Sequence, residues 1–487
     1  MSPFTQYYGR AGEKGVFNAL ATDWTVSADG LTYTFTLRRD AVWSDGIPIT
    51  ATDVKFSFDA IASGEIETLW EADWNPVYDR IANPSGIREI VVVDDYTVQA
   101  MFEEANCDSL RWPSALFVIP AHIFGYDGQP DFDFSVMVGH AFDTYPSVVY
   151  GPFQLEYIHL GEEIALKPVP TWADGPVIPA ALVLRDVANV KDATQRFLAG
   201  EFDYIEVPRV WPSYRAKVRA APDVRAVSFP SNSWDYLALN VADPLNPQPG
   251  EDAQGNRIDQ GHHPLFGDVQ VRRALQHAIN VPEIMEGAAF GEGTQMASSQ
   301  LPTSWAADPT LEPVPYDPAR AAQMLDEAGW PLGPNGVRVC QGCKYALDGT
   351  PFTFELLNIE GNARREAMGA MVQEQLAEVG IVVNFVSIDF YDLLRVLGAQ
   401  DFDAYILGWN EGFPADPDRL RFFGPGSDSP DGVNHSSYYN PEFVRLSRQA
   451  LTLPGCDLTE RAAIYHQIER LLQDDQPYLW LFALNDL

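Results

Sequence analysis

Leu20-Ala21-Thr22-Asp23-Trp24-Thr25-Val26-Ser27-Ala28-Asp29-Gly30-Leu31-Thr32-Tyr33-Thr34-Phe35-Thr36-Leu37 is the stretch on which the reading of this chain turns. Trp24 to Val26 and Leu31 to Leu37 are β-branched and aromatic runs, and the Asp29-Gly30 step between them suits a tight turn because glycine accepts positive φ. A hairpin is predicted. The continuation is Trp43-Ser44-Asp45-Gly46-Ile47-Pro48-Ile49-Thr50-Ala51-Thr52-Asp53-Val54. It places hydroxyl and carboxylate groups where a helix start leaves backbone N–H groups unpaired. Val54, Phe56, Phe58 and Ile61 then follow at spacings suited to a helix from about residue 51 to 62.

Outward from this stretch the first half stays rich in antiparallel strands. Ile90 to Val93 and Tyr96 to Phe102 read as a second hairpin around Asp94-Asp95, and Gly151 to Tyr157 with Glu163 to Lys167 as a third. The second half changes texture. Asp268 to Asn280 carries apolar residues near helical spacing, and Asp317-Pro318 and Asn440-Pro441 are helix starts with proline in the first turn, the former helix stopping at Gly329. Phe352 to Leu357, Asn362 to Val379 and Ile381 to Ile388 read as strand, helix and strand, a βαβ unit with parallel strands. A helix near Phe390 to Leu397 and a strand from Asp403 to Trp409 follow. Between the halves, Asn240 to Pro264 has the Pro, Gly, Asp and Asn density of a linker.

With 487 residues the chain exceeds one domain's usual length, and 46% hydrophobic with 12% aromatic residues makes it globular. Sixty-eight acidic against 32 basic residues give a formal charge of −36, a field that repels phosphate backbones and argues against nucleic acid as a partner. No apolar run reaches the length of a membrane-spanning helix, and Met1 to Gly15 lacks the basic start and apolar stretch of a signal peptide. Four cysteines are too few for a disulfide scaffold.

Several segments, in order, resemble the extracytoplasmic solute-binding proteins of ATP-binding cassette importers, of the oligopeptide, dipeptide and nickel-binding type (bacterial solute-binding protein family 5). The hairpin at Leu20 to Leu37 and the Trp43 to Val54 stretch carry most of the likeness. Gly151-Pro152-Phe153, Leu198-Ala199-Gly200-Glu201-Phe202-Asp203, Tyr236-Leu237-Ala238-Leu239-Asn240, Val271-Arg272-Arg273-Ala274-Leu275, Tyr316-Asp317-Pro318, Gly408-Trp409 and Tyr438-Tyr439-Asn440-Pro441 continue it. The resemblance implies an α/β, two-lobed periplasmic-binding-protein-like fold with mixed sheets and an extra subdomain on the first lobe, terminal strands of the family pattern being missing from this chain. The expected division is residues 1–50, the first part of lobe 1; 51–150, the extra subdomain; 151–240, the rest of lobe 1; 241–477, lobe 2; and 478–487, a return strand towards lobe 1.

The function implied is that of an importer's solute-binding component, which captures a peptide-like ligand between two lobes and delivers it to a membrane permease. Oligosaccharide or metal-chelate binding is the alternative within the class, and a glycoside hydrolase the rival outside it. No serine-hydrolase elbow, phosphate-binding loop or zinc-protease motif is present, so no enzyme activity is expected. A monomer without cofactor or metal is expected, periplasmic or extracytoplasmic, with lipid anchoring left open. The resemblance places Ser231 to Tyr236 at the ligand, so Asn232, Trp234, Asp235 and Tyr236 are candidates, and so are Trp409, Asn410, Glu411 and Phe413 in the loop before Asp416-Pro417. Peptide-binding relatives anchor the ligand's amino group on an Asp in this loop; here Phe413 holds the equivalent position by spacing, and Glu411 is the available substitute. Cys340-Gln341-Gly342-Cys343 lacks the second thiol pair of a zinc site and the helical setting of a redox motif, which leaves a local loop disulfide, with Cys107 and Cys456 as two free thiols. His262-His263 reads as solvated surface, and Asn434-His435-Ser436 matches a glycosylation triplet of the kind that arises by chance.

Overall fold

The structure, a computed structural model, describes residues 5–8, 14–63, 65, 87–107, 109, 116–205, 214–227, 229–252, 254–411, 417–430 and 432–486. The chain forms two compact units, Met1–Asn189 and Val190–Leu487.

In the first unit β1 (Thr5–Tyr8) and β2 (Lys14–Asn18) form an antiparallel hairpin that the sequence reading did not anticipate, because runs this short carry too few residues to show alternation. The predicted hairpin is β3 (Ala21–Val26) and β4 (Thr32–Leu37). Gly30 sits at φ 74° in its turn, and the Asp29 carboxylate accepts hydrogen bonds from the Ser27 hydroxyl and the Leu31 N–H. Helix α1 (Ala51–Ala62) starts where predicted. The Asp53 carboxylate fixes that start by accepting from Thr50 N (2.8 Å) and, across the fold, from Ala121 N (2.9 Å). With β5 (Ile87–Asp94) and β6 (Thr97–Phe102), the hairpin makes a sheet of order β3-β4-β6-β5. Its inward residues Phe35, Leu37, Ile90 and Val98 pack on Trp43, Val54 and Phe58. A separate sheet holds β7 (Phe153–His159), β8 (Glu163–Pro168) and β9 (Leu182–Arg185).

The second unit opens with α2 (Val190–Leu198) and α3 (Arg215–Ala220) and is built on a six-stranded mixed sheet. Its strands are β10 (Phe229–Leu239), β11 (Gly293–Gln295), β12 (Thr353–Ile359), β13 (Val382–Ile388), β14 (Ala404–Asn410) and β15 (Tyr478–Asp486), in spatial order β11-β15-β10-β14-β12-β13. β12 and β13 run parallel and are joined by α7 (Ala363–Glu378), the predicted βαβ unit. The longer helices that remain are α4 (Val269–Ala278), α5 (Val281–Ala289), α6 (Pro318–Glu327), α8 (Phe390–Gly398), α9 (Pro441–Leu451) and α10 (Leu458–Asp475). Period-two alternation divides the sheet between two cores. Leu237, Leu239, Leu356, Ile406 and Leu481 face α4 to α7, whereas Trp234, Tyr236, Ala238, Tyr405 and Trp480 face a second core that includes Phe443 of α9 and Tyr465 of α10.

The segment Asn240 to Pro264 lies within the second unit, tied down by Gly250 N to Asp428 O (2.7 Å) and His263 N to Val241 O (3.0 Å). His263 is a correction to the expectation of solvated surface: it is buried, its Nδ1 accepts from Leu265 N and Phe266 N, and its Nε2 therefore carries the proton towards Asp403 Oδ1 (3.1 Å). Asn434 is buried too, its amide donating to the Gly424 and Tyr438 carbonyls, so the triplet offers no glycan acceptor in the folded chain. Cys340 and Cys343 are joined in a disulfide with Cα atoms 5.5 Å apart. Among the described residues no cysteine is free, Cys107 and Cys456 included, against the two free thiols expected from sequence. No described helix is long and apolar enough to cross a membrane. Thiol titration of the unfolded, unreduced chain is expected to find no reactive thiol; two per chain would restore the reading from sequence.

Candidate functional site

Strands β10 and β14 bring nearly all of the candidate residues into one antiparallel ladder. Trp234 lies opposite Trp409, Asp235 opposite Gly408, Ser233 opposite Asn410, and the Asn232 carbonyl accepts from Glu411 N at 3.1 Å. Phe413 lies outside the described residues. Trp234, Tyr236 and Trp409 share one face, where they pack as core. Tyr236 stacks on Tyr478 with ring centroids 4.1 Å apart, and Trp234 lies 5.1 Å from Tyr236 and 6.2 Å from Trp480. Burial drives the Tyr236 and Tyr405 phenols well above their ordinary pKa. Asn410 is exposed at the end of its strand.

Glu411 is committed within the fold. One carboxylate oxygen accepts the Trp234 indole N–H at 2.6 Å, and the guanidinium of Arg419 reaches both oxygens at 3.1 Å. Glu411 and Arg419 side chains are 3% and 1% exposed, and Arg419 also donates to the Ser299 carbonyl and to Gln300 Oε1. A buried carboxylate already neutralised in this way has little charge left for a ligand's ammonium group. Farther along, Glu469 on α10 accepts from Asp308 N in a buried setting. Burial raises its pKa to about 7, opposed by the backbone hydrogen bonds and by the charge of Arg419.

The opposite face of the ladder carries an arrangement of another kind. Asp235, fully buried, meets Arg364 Nε at 2.7 Å and Arg365 Nε at 2.9 Å. Two guanidiniums share this one carboxylate at the amino end of α7, where the first turn also carries Glu366, whose Oε1 accepts from Gly361 N at 3.0 Å. Arg364 keeps 30% of its side chain exposed. Gly408 makes this possible, since a Cβ there would stand 2.5 Å from both Arg365 Nη2 and Asp235 Oδ1. Reading from sequence missed these arginines. Their one local signal is a basic pair in a helix's first turn, where the dipole disfavours it unless an anion is near. Among the described residues no cluster of three or more His, Cys, Asp or Glu side chains could hold a metal ion.

The ladder thus presents buried aromatic residues on one face and a partly exposed guanidinium on the other, on an α/β scaffold of this topology. The chain belongs to the bacterial extracellular solute-binding proteins, family 5, whose middle-region model matches residues 15–431. It is 24% identical to the oligopeptide-binding protein AppA of Bacillus subtilis over 94% of this chain and 76% of that protein. It is 26% identical to the heme-binding protein A of Haemophilus influenzae (96% and 79% covered) and 26% identical to the dipeptide-binding protein of Escherichia coli (96% and 81%). Among solved structures it is similar to NikA from Brucella suis in complex with Fe(III)-EDTA, at TM-score 0.77 and 22% identity over 100% of this chain and 88% of that one. It is also similar to the Bacillus subtilis AppA complex with a nonapeptide, at TM-score 0.70 and 22% identity, covering 100% and 87%. The two-lobed α/β class expected from the sequence is the class of these chains.

Arg419→Met should lower stability by about 3–5 kcal/mol in urea unfolding, because it strands the Glu411 carboxylate in the core. Adding Glu411→Gln should recover much of that loss while keeping an acceptor for Trp234; a double variant no more stable than the single one would contradict this account. Glu469, with its folded pKa above the unfolded value of 4.5, contributes stability that is full below that value and fades as pH rises through about 7. The urea midpoint should therefore fall less between pH 5 and pH 8 in Glu469→Gln than in the parent, and equal falls would reject the raised pKa.

Proposed function

We propose that this chain is the solute-binding component of an ATP-binding cassette importer, that its solute is peptide-like, and that it hands the solute to a membrane permease without making or breaking a bond. The observation that carries the ligand class is the pair of guanidiniums on the one Asp235 carboxylate, of which Arg364 keeps 30% of its side chain exposed, a donor that suits the carboxylate of a peptide. The neutralised Glu411 argues against an amino-group anchor at that residue, so recognition by the carboxyl end is the reading we favour. Oligosaccharides offer no such charge. Carboxylate-rich metal chelates do, and they form the second reading, in line with the chelate named for the Brucella suis relative.

Within this proposal Asn232, Trp234, Asp235, Tyr236, Trp409, Asn410, Glu411 and Phe413 belong to or brace the solute site. Trp234, Tyr236 and Trp409 act as its buried backing, and Asn410 as an exposed contact. The lobe boundaries set out from the sequence are part of the same proposal, as are monomeric behaviour and a periplasmic or extracytoplasmic location, with lipid anchoring left open.

Native mass spectrometry of the purified chain, followed by denaturing extraction, is expected to release short peptides. In calorimetry, di- to oligopeptides should bind, and their C-terminally amidated forms should bind about tenfold or more weakly, the worth of one charge-assisted contact. Arg364→Ala should remove that difference. Equal binding of free and amidated peptides would overturn the carboxylate anchor, and binding of neutral oligosaccharides alone would overturn the peptide reading.

A further inference from the structure

Away from the ladder, the segment from Asn240 to Pro264 closes on the rest of the second unit around one buried carboxylate, that of Asp428. The residue is 3% exposed, and among the described residues no cation bonds it. Its Oδ1 accepts from Gln400 Nε2 at 3.2 Å and from the Ser437 hydroxyl at 3.1 Å, both neutral donors, and its Oδ2 has no hydrogen-bond partner. An ionised carboxylate in this setting has given up its water for two neutral donors, so the protonated acid is favoured. Burial raises its pKa to about 6, opposed by the Gln260 and Gln400 amides, the Ser437 hydroxyl and the charge of Arg257.

The same carboxylate sits where the segment is fastened. Gly250 N donates to the Asp428 carbonyl at 2.7 Å, and the two residues are so close that a Cβ on Gly250 would stand 2.9 Å from Asp428 Oδ2. Gln400 joins Asp428 to the segment a second time, because its Oε1 accepts from Gln248 N at 3.0 Å. Within the segment, Gln260 Nε2 donates to the Gln248 carbonyl at 2.8 Å, and Arg257 donates to the Gly250 carbonyl at 2.7 Å and to Gln260 Oε1 at 2.5 Å. The other charged groups on these elements are engaged or turned away. The Arg257 guanidinium lies 4.7 Å over the Tyr439 ring, Glu251 points its carboxylate at Gly426, and Asp401 is exposed. Asp243, Asp252 and Asp259 accept from Leu245 N, Asn256 N and Gly261 N in turns of their own. Burial lowers the His435 pKa to about 4, so that imidazole is neutral above pH 5.

We propose that Asp428 is a proton-operated latch, which as the neutral acid holds the segment from Asn240 to Pro264 on the second unit and as the carboxylate releases it. The segment is then fastened in acid and freer at neutral pH and above. Opening returns water to the carboxylate, so the charged form favours the open state and the neutral form the closed one. Because the folded value lies above the unfolded value of 3.8, the stability that Asp428 contributes is full below 3.8 and fades as pH rises through about 6. The latch is independent of the solute and of how the solute is held.

Amide hydrogen exchange on the whole chain, read as protection factors so that the intrinsic effect of pH is removed, tests it. The amides of Gln248, Gly250 and Ile258 should lose about tenfold or more of their protection between pH 5 and pH 8, with a midpoint near pH 6, while those of β10 and β14 lose less. Asp428→Asn keeps the shape and cannot ionise, so it should hold the protection constant across that range. Ser437→Ala and Arg257→Gln each remove a group that favours the carboxylate, and each should move the midpoint to higher pH. Equal protection at pH 5 and pH 8 in the parent, an equal loss throughout the ladder, a pH dependence that survives in Asp428→Asn, or a midpoint unmoved in both of the other variants would each overturn the proposal.

Discussion

Residues Trp234 to Ala238 are hydrogen-bonded on both edges, to β14 on one side and β15 on the other, and most of the second unit follows from that double pairing. A backbone held on both sides cannot rotate a residue from one face to the other. Trp234, Tyr236 and Ala238 are therefore fixed in one core, Leu237 and Leu239 in the other, and Asp235 is fixed inside with no route to water. The unit must bring charge to Asp235, since burying an unpaired carboxylate would cost more than the fold could bear. It does so from the start of α7, the helix that also covers that face with Met368, Val372 and Leu376. The ladder thus dictates where the arginines go, and it sets two guanidiniums against one buried carboxylate.

Two buried acids near the ladder are treated in opposite ways. Glu411 is matched by one guanidinium at hydrogen-bonding distance, and Arg419 extends the contact to Gln300 and Ser299. Asp235 is met by two. The first arrangement closes a corner of the core; the second leaves part of Arg364 exposed. A solute-binding protein needs both kinds, since rigid backing and a small number of directed polar groups together orient a ligand.

Much of the architecture was legible because it is written in local signals. The Asp29-Gly30 turn, the Thr50 to Asp53 start, and the Asp317-Pro318 and Asn440-Pro441 starts each need only a few neighbouring residues, and each stands where the sequence puts it. The β14 segment was read from its own pattern and β10 by resemblance, and their pairing joins the two sets of candidates. What could not be read was long-range. Asp235 and its arginines are 129 and 130 residues apart, and Glu411 meets Trp234 across 177. His263 failed for a related reason, since a loop of linker composition gives no sign that Asp403 waits for its imidazole. Composition describes a segment's own preferences, whereas burial depends on what comes to cover it.

The aromatic side of the ladder has an optical consequence. Trp234, Trp409 and Trp480 lie among Tyr236, Tyr405 and Tyr478 in one cluster, ring against ring and away from water. Excitation absorbed by a tyrosine there will pass to a neighbouring indole, and the light that emerges will carry the blue-shifted colour of an apolar interior. The emission of these residues is thus a gauge of whether β10, β14 and β15 are seated together, and it will report on a bound solute only to the extent that the solute strains that seating.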